Sequence, residues 1–351
     1  MAEASTAALT CPIPLERYPV VTLAHGDGGR LTHQLVEGMF QRVFTSRELR
    51  RAHDGAVLET PWPRIAFTTD SFVVRPLFFP GGDIGRLAIH GTVNDLAMCG
   101  ARPRHLSVGF ILEEGFAMET LWRVVCSMGE AAAAARVEVV TGDTKVVERG
   151  KGDGVYVHTT GVGSLEHGVD VHPGAVQAGD IVLLSGDPGR HGVAVLAARE
   201  GLEFESEIES DVAPLAEPVL ALLDAGIDVR CMRDVTRGGL ATALVEIAET
   251  ARLAIEISEE AIAVDPAVQG AADVLGLDPL YLASEGRFVA FVPAAQAAEA
   301  VAVLAGHEVS RGARAIGGVR AGPAGQVVLE TVLGTSRVLD RLAGATLPRI
   351  C

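Results

Sequence analysis

The apolar positions of this chain follow two alternating periods. Leu31, Leu35, Val36, Met39, Phe40 and Val43 recur at helical spacing and predict a helix over Arg30–Phe44. Ile65–Thr69 and Phe72–Val74 read as strands, and a helix over Ile84–Cys99 is ended by Gly100 and Pro103. His105–Leu112 alternates as a strand. Met118–Arg136 is a long helix with an alanine-rich end, and Val137–Val140 and Val155–Thr160 return to strand. In the second half Ile181–Leu184, Ala254–Ile257, Arg287–Val292 and Gln326–Glu330 read as strands. A Gly-rich turn at Ser185–Gly192 opens a helix reaching Glu200, and further helices are expected over Pro214–Asp224, Gly239–Arg252, Pro266–Leu275 and Ala294–Ala305. Interleaved strands and helices in both halves predict an α/β (α+β) fold in two domains.

The composition turns to Gly, His and Pro near Gly161–Gly179, which places the boundary there. The expected division is a loose N-terminus (1–20), an N-terminal domain (21–165), a C-terminal domain (166–335) and a flexible tail (336–351) carrying Cys351. Pro348 stops regular structure, so the tail cysteine reads as mobile. The dense acidic run Glu203–Asp211 reads as a solvated surface.

The length of 351 residues suits two domains, and 48% hydrophobic with 21% charged residues excludes a disordered chain. No apolar run reaches the roughly 18 residues of a membrane span. Met1–Cys11 lacks the basic and apolar regions of a secretory signal. Cys11, Cys99, Cys126, Cys231 and Cys351 form no CxxC or tight Cys/His spacing, so neither a disulfide framework nor a zinc site is signalled. A cytoplasmic protein with reduced thiols is expected. The net charge of −16 argues against nucleic acid as a partner.

Only Lys145 and Lys151 are lysines among the 29 basic residues. Lys145 stands in Thr141-Gly142-Asp143-Thr144-Lys145, after a strand, where an ammonium beside hydroxyls and a carboxylate suits phosphate handling. Asp54, Asp70, Asp95 and Asp234 sit where a hard cation would want carboxylates. Each alone is equally a cap or turn residue. Gly-rich turns at His25–Gly29, Pro80–Gly85, Ser185–Gly192 and Arg237–Gly239 precede predicted helices and could cradle an anion, though none is a Walker A or dinucleotide fingerprint. Glu285 reads as a general base or as a turn carboxylate paired with Arg287. His90 and Asn94 share a helix face. Cys351 reads as a carrier thiol on a mobile tail, or as a chance free thiol.

Taken together, HGDGG at 25–29, TDSFVVRPLFFPGGDIG at 70–85, GTVNDLAMCGARP at 91–103, TGDTKVV at 141–147, RDVTRGGLATAL at 233–244 and PRIC at 348–351 resemble the HypE hydrogenase maturation family. That family belongs to the aminoimidazole ribonucleotide (AIR) synthetase and selenophosphate synthetase superfamily. Asp27 and Ser284 depart from the small residue and the Asn usual in HypE. The resemblance implies a PurM-like two-domain fold and a homodimer with a β-barrel-like interface, with ATP bound between the domains near it. It implies carbamoyl transfer to Cys351 from HypF, ATP-dependent dehydration of the S-carboxamide to an S-thiocyanate, and passage of cyanide to iron on HypC–HypD. Asp54, Asp70, Asp95 and Asp234 match the family's metal-binding aspartates and would hold Mg²⁺. Gly26, Gly28 and Gly29 would cover the phosphates, Asn94 and Asp143 would help bind the nucleotide, and Lys145 would stabilise the transferred phosphoryl group. Glu285 is the candidate base, with His90 behind it. Competing readings are another ATP-dependent synthetase of the superfamily and a non-catalytic maturation scaffold.

Overall fold

The structure, a computed structural model, describes residues 18–26, 30–50, 58, 61–202, 208–341 and 349–351. Cys11, Asp27, Gly28, Gly29, Asp54 and Pro348 lie outside the described residues.

The predicted first helix is present in three parts: α1 (Arg30–Leu35), a π-helical turn at Val36–Phe40, and α2 (Gln41–Val43), followed by α3 (Arg47–Arg50). Phe40 stacks on Phe110 with ring centroids 5.1 Å apart, which seats this run on a sheet. Then come β1 (Ile65–Phe72), the two-residue partners β2 (Phe78–Phe79) and β3 (Gly82–Asp83), and α4 (Ile84–Met98). They are followed by β4 (Arg102–Glu113), α5 (Met118–Ala134), β5 (Glu138–Val147) and β6 (Val155–Ser164). Strands β1, β6, β4 and β5 make one sheet in that order, with only the β4–β5 pair parallel.

Asp83 starts α4 by accepting the Gly85 and Arg86 N–H groups at 2.7 and 3.1 Å. Gly85 is needed there, because a Cβ would lie 2.4 Å from the Val124 carbonyl of α5. The close approach leaves α4 almost wholly buried, between the sheet, α5 and the second half of the chain. One face of the sheet is covered by these helices. The other is open and carries Ile65, Phe67 and Ile111 at 52%, 68% and 44% exposure.

The second half contains β7 (Asp180–Leu184), α6 (Arg190–Glu200), α7 (Ala216–Asp224), β8 (Cys231–Asp234), α8 (Gly239–Ala251) and β9 (Ala254–Ser258). It continues through α9 (Pro266–Leu275), β10 (Phe288–Pro293), α10 (Ala297–Ala305), β11 (Arg314–Arg320), β12 (Val327–Glu330) and β13 (Ser336–Leu339). The sheet order is β13-β12-β9-β11-β7-β10-β8, antiparallel except for β12–β9.

Four expectations change. Ile65–Thr69 and Phe72–Val74 are one strand, because β6 pairs without a break from Ile65 to Phe72, so Asp70 lies inside it. The strand read as Val137–Val140 runs to Val147. Parallel pairing with β4 carries it through the polar Thr141–Thr144, so Lys145 is within a strand. β8 and β11 were not legible. β8 is four residues long, and β11 contains Gly317, whose missing side chain lets Glu256 approach to 2.0 Å of the Cβ position. Ser336–Leu339, assigned to the tail, is an edge strand returned on β12 by a turn in which Thr331 N–H donates to the Thr335 carbonyl. Among the described residues no helix is long and apolar enough to cross a membrane.

Candidate active site

Where the two halves meet, four carboxylates and a thiol face one another. Asp70 lies on the covered face of β1, its Oδ2 3.9 Å from where a Gly91 Cβ on α4 would stand. Asp95, one turn further along α4, accepts the Thr68 hydroxyl at 2.8 Å. Asp234 ends β8, and Glu285 is buried on the loop before β10. The backbone holds that loop tightly. Glu285 N–H donates to Asp211 Oδ1 at 3.0 Å, and a Gly286 Cβ would sit 1.9 Å from the Asp211 carbonyl oxygen. Ser284 N–H donates to the Val235 carbonyl, and its hydroxyl accepts the Gly189 N–H at 2.8 Å. The serine that departs from the family's usual Asn thus anchors the loop.

The electrostatics are those of carboxylates crowded away from water. Burial raises the Asp70 and Asp95 carboxyls, and Asp70 adds to the rise at Asp95. Burial first, then Asp95 and Asp70, push Asp234 up to about 7. Glu285 is held well above the usual carboxylate range by burial, Asp234, Asp211 and Asp70, and its Oε1 has no hydrogen-bond partner. Arg237 opposes the rise at Asp70, Asp95 and Glu285.

Cys351 is part of this group. Burial raises its thiol pKa first, and Glu285, Asp70 and Asp234 raise it further against Arg237. Arg349, two residues before Cys351, is not among the groups that act on the thiol. Its guanidinium donates to the Val73 carbonyl at 3.0 Å and pairs with Asp153 instead. The last three residues are docked along Val73–Arg75. Val73 N–H donates to the Cys351 backbone oxygen at 3.1 Å, Arg75 N–H donates to the Arg349 carbonyl at 3.2 Å, and Ile350 is 3% exposed.

The remaining expected residues divide. Asp143 and Lys145 are exposed on the opposite, open face of the sheet, at its β5 edge. Lys145 Nζ donates to both Asp143 oxygens at 2.7 Å, which lowers the Asp143 carboxyl below its ordinary range. Gly26 lies against the same strand, its Cβ position 2.6 Å from Val146 N. Within one chain these three are not brought to the carboxylate group.

His90 is a correction. It is buried, and burial and Arg86 lower its pKa to about 3 against the opposing contact with the Ala131 backbone. A neutral imidazole of that acidity, outside the carboxylate group, is a poor base. Asn94 is a second correction. Its Nδ2 donates to the Ala213 and Glu285 carbonyls at 3.1 and 3.3 Å, and its Oδ1 accepts the Leu215 N–H at 2.8 Å. It joins the two halves, and both its amide N–H groups are taken by the backbone. Asp211, read as part of a solvated acidic run, is buried beneath Glu285, and Arg237, unremarked in its motif, faces the carboxylates. Asp234, three residues away, was the signal for Arg237; nothing beside Asp211 in the sequence marked it.

A Mg²⁺ ion fits the charges better than it fits a closed cage. Among the described residues no three His, Cys, Asp or Glu side chains form a ready metal site. Mg²⁺ takes one or two carboxylates and completes its shell with phosphate oxygens and water, which suits loosely grouped and mutually repelling carboxylates.

The AIR synthase related protein N-terminal domain family matches residues 52–165, and its C-terminal domain family matches residues 177–330. The fold and both matches make this an AIR synthase-related, PurM-like protein. Carbamoyl dehydratase HypE of Azotobacter vinelandii is 49% identical over 331 residues, covering 94% of this chain and 97% of that protein. A crystal structure of hydrogenase maturation protein HypE in complex with ATP superimposes with a TM-score of 0.91 at 46% identity, over 94% of this chain and 99% of that one. A HypE–HypF complex matches at a TM-score of 0.78 and 44% identity, over 88% of this chain and 99% of that one. The chain belongs to the HypE carbamoyl dehydratase family and is an enzyme.

Proposed function

We propose that the chain uses ATP to dehydrate an S-carboxamide on Cys351 to an S-thiocyanate, which supplies the cyanide ligands of a [NiFe]-hydrogenase iron centre. The observation that carries this reading is the placement of Cys351 among Glu285, Asp70, Asp234 and Arg237. The carboxamide oxygen attacks the γ-phosphorus of ATP, ADP leaves, and one N–H proton is released. Glu285 then takes the remaining N–H proton, the C–O bond breaks, inorganic phosphate departs and C≡N forms. The balance is S-carboxamide plus ATP giving S-thiocyanate, ADP and phosphate. A raised carboxyl pKa with an unused oxygen suits a proton acceptor close to the reacting nitrogen. Mg²⁺ on Asp70, Asp95 and Asp234, with Asp54, would neutralise the phosphates. The docked thiol is half-buried among carboxylates that raise its pKa, so carbamoylation belongs to a state in which the tail is presented to HypF.

Asp143, Lys145 and Gly26 have a place in the same reading. The open face of the four-stranded sheet is apolar enough to take a second copy of the chain. A homodimer through that face would let the phosphate-handling group of one copy serve the carboxylates of the other, with the Gly26, Gly28 and Gly29 segment covering the nucleotide. HypC–HypD would receive the cyano group. The domain division and the cytoplasmic location stay part of this proposal.

The test is intact-protein and peptide mass spectrometry after incubation with HypF and carbamoyl phosphate. A gain of about 43 Da on the Cys351 peptide, falling by about 18 Da only when Mg–ATP is added, is expected (thiol acylation, then loss of water). An unmodified Cys351 beside an active HypF refutes the carrier role.

A further inference from the structure

The docked tail is gripped through its backbone, and one grip comes from a sealed imidazole. His191 stands in the first turn of α6 and is fully buried. Its Nε2 is 2.7 Å from the Ile350 carbonyl oxygen, and its Nδ1 is 2.8 Å from Ser210 Oγ. A carbonyl only accepts, so Nε2 carries the proton and Nδ1 accepts from the Ser210 hydroxyl. Ser210 Oγ in turn accepts the Val212 N–H at 3.2 Å, and Ser210 N–H donates to the Pro80 carbonyl at 2.8 Å. The hydrogen bonds therefore run one way, from Val212 through Ser210 and His191 to Ile350. Phe79 meets the ring edge-on at 5.3 Å and limits its rotation. Two turns later on α6, Arg199 donates to the Arg75 carbonyl at 3.0 Å and to the Arg349 carbonyl at 2.7 Å.

We propose that His191 is a positioning residue. Oriented by Ser210, it holds the Ile350 carbonyl so that the Cys351 sulfur stays beside Glu285 and Asp234 while dehydration proceeds. Its catalytic consequence rests on the carrier reading of Cys351. The grip itself reads only backbone oxygens, so free, carbamoylated and cyanated tails offer it the same acceptors. When the tail leaves, the Nε2–H loses a buried partner, which favours return.

The test compares His191→Leu, which keeps bulk against Phe79 but removes both nitrogens, with His191→Gln, which keeps an N–H donor. Iodoacetamide labelling of Cys351 is followed by peptide mass spectrometry in the full-length chain, with exposed Cys99 as the internal reference. His191→Leu should label Cys351 about three- to tenfold faster, the worth of one buried hydrogen bond, with His191→Gln between it and the parent. In the HypF-coupled assay His191→Leu should lower kcat for dehydration and leave KM for ATP within about twofold. Unchanged labelling, or equal acceleration by Leu and Gln, would reduce His191 to a core residue and overturn the proposal. If His191→Leu does not fold, Ser210→Ala frees the ring to turn and takes the same labelling test, with unchanged labelling again decisive against it. Labelling needs neither ATP nor HypF. A parent protein that shows the labelling contrast but never dehydrates a carboxamide would refute the carrier reading and leave the grip standing.

Discussion

Replacing Asp234 by Asn should stabilise the ligand-free protein at alkaline pH while destroying its nucleotide chemistry. The carboxyl is raised from 3.8 to about 7. For an acid, a raised folded-state pKa means that the folded chain prefers the protonated form. Stability is therefore lost as pH rises from about 4, where the unfolded chain ionises, to about 7, where the folded chain does. At about 1.4 kcal/mol per pH unit the full cost is at most about 4 kcal/mol. The side chain is half-buried rather than sealed, and its neighbours can relax, which brings the expected gain for Asn to about 1–2 kcal/mol. The assay is thermal melting in EDTA at pH 4.5, 6 and 8, beside calorimetry with Mg–ATP. The variant should differ least from the parent at pH 4.5, pull further ahead through pH 6, and melt a few degrees higher at pH 8. Mg–ATP binding should be lost throughout. A variant less stable at pH 8, or a gain independent of pH, would refute the picture of carboxylates strained against one another.

Asn94→Ala should cost about 2–4 kcal/mol in urea unfolding, because two carbonyls and an N–H group lose their partner where the halves meet. It should also lower turnover through Glu285. His90→Met should leave dehydration rates unchanged, since burial and Arg86 hold the imidazole neutral and away from the carboxylates; a turnover loss beyond about tenfold would return His90 to the chemistry. Lys145→Ala and Asp234→Ala should each be inactive alone. Mixed and re-associated, they should recover part of the parental turnover, which sedimentation and activity measured together would establish. No recovery in a verified mixed dimer would place Lys145 and the carboxylates in sites that do not combine.

Much of the chain was legible from local pattern. The helices at Ile84–Met98, Met118–Ala134, Gly239–Ala251 and Pro266–Leu275 follow their apolar periodicity, and the first and last of them end at Gly100 and Gly276. Strand runs rich in valine and isoleucine were visible for the same reason. Strands held by pairing alone were not: β11 carries two adjacent glycines, and β5 crosses a polar stretch on the strength of its neighbour β4.

The carboxylates, Lys145 and Cys351 stood out as residue types in a sequence with two lysines and a PRIC ending. Which of them meet is a matter of faces and register, and the linear order carries neither. Asp143 and Asp70 sit on opposite sides of one sheet, because side chains alternate along a strand. Asn94 and His90 share a helix, yet one clasps the neighbouring half of the chain while the other is sealed against its own half, beside Arg86 and the Ala131 backbone. Asp211 looks like solvent-facing charge until Gly286 lets its backbone pass beneath Glu285. The sequence by itself determined the family, the helices, the valine- and isoleucine-rich strands and the inventory of reactive groups, because local propensity and motif are properties of neighbours in the chain. Only the tertiary structure decided that Cys351 lies among carboxylates that raise its thiol pKa, with its backbone held by His191. Burial and long-range contact set both the acidity of a group and its partners.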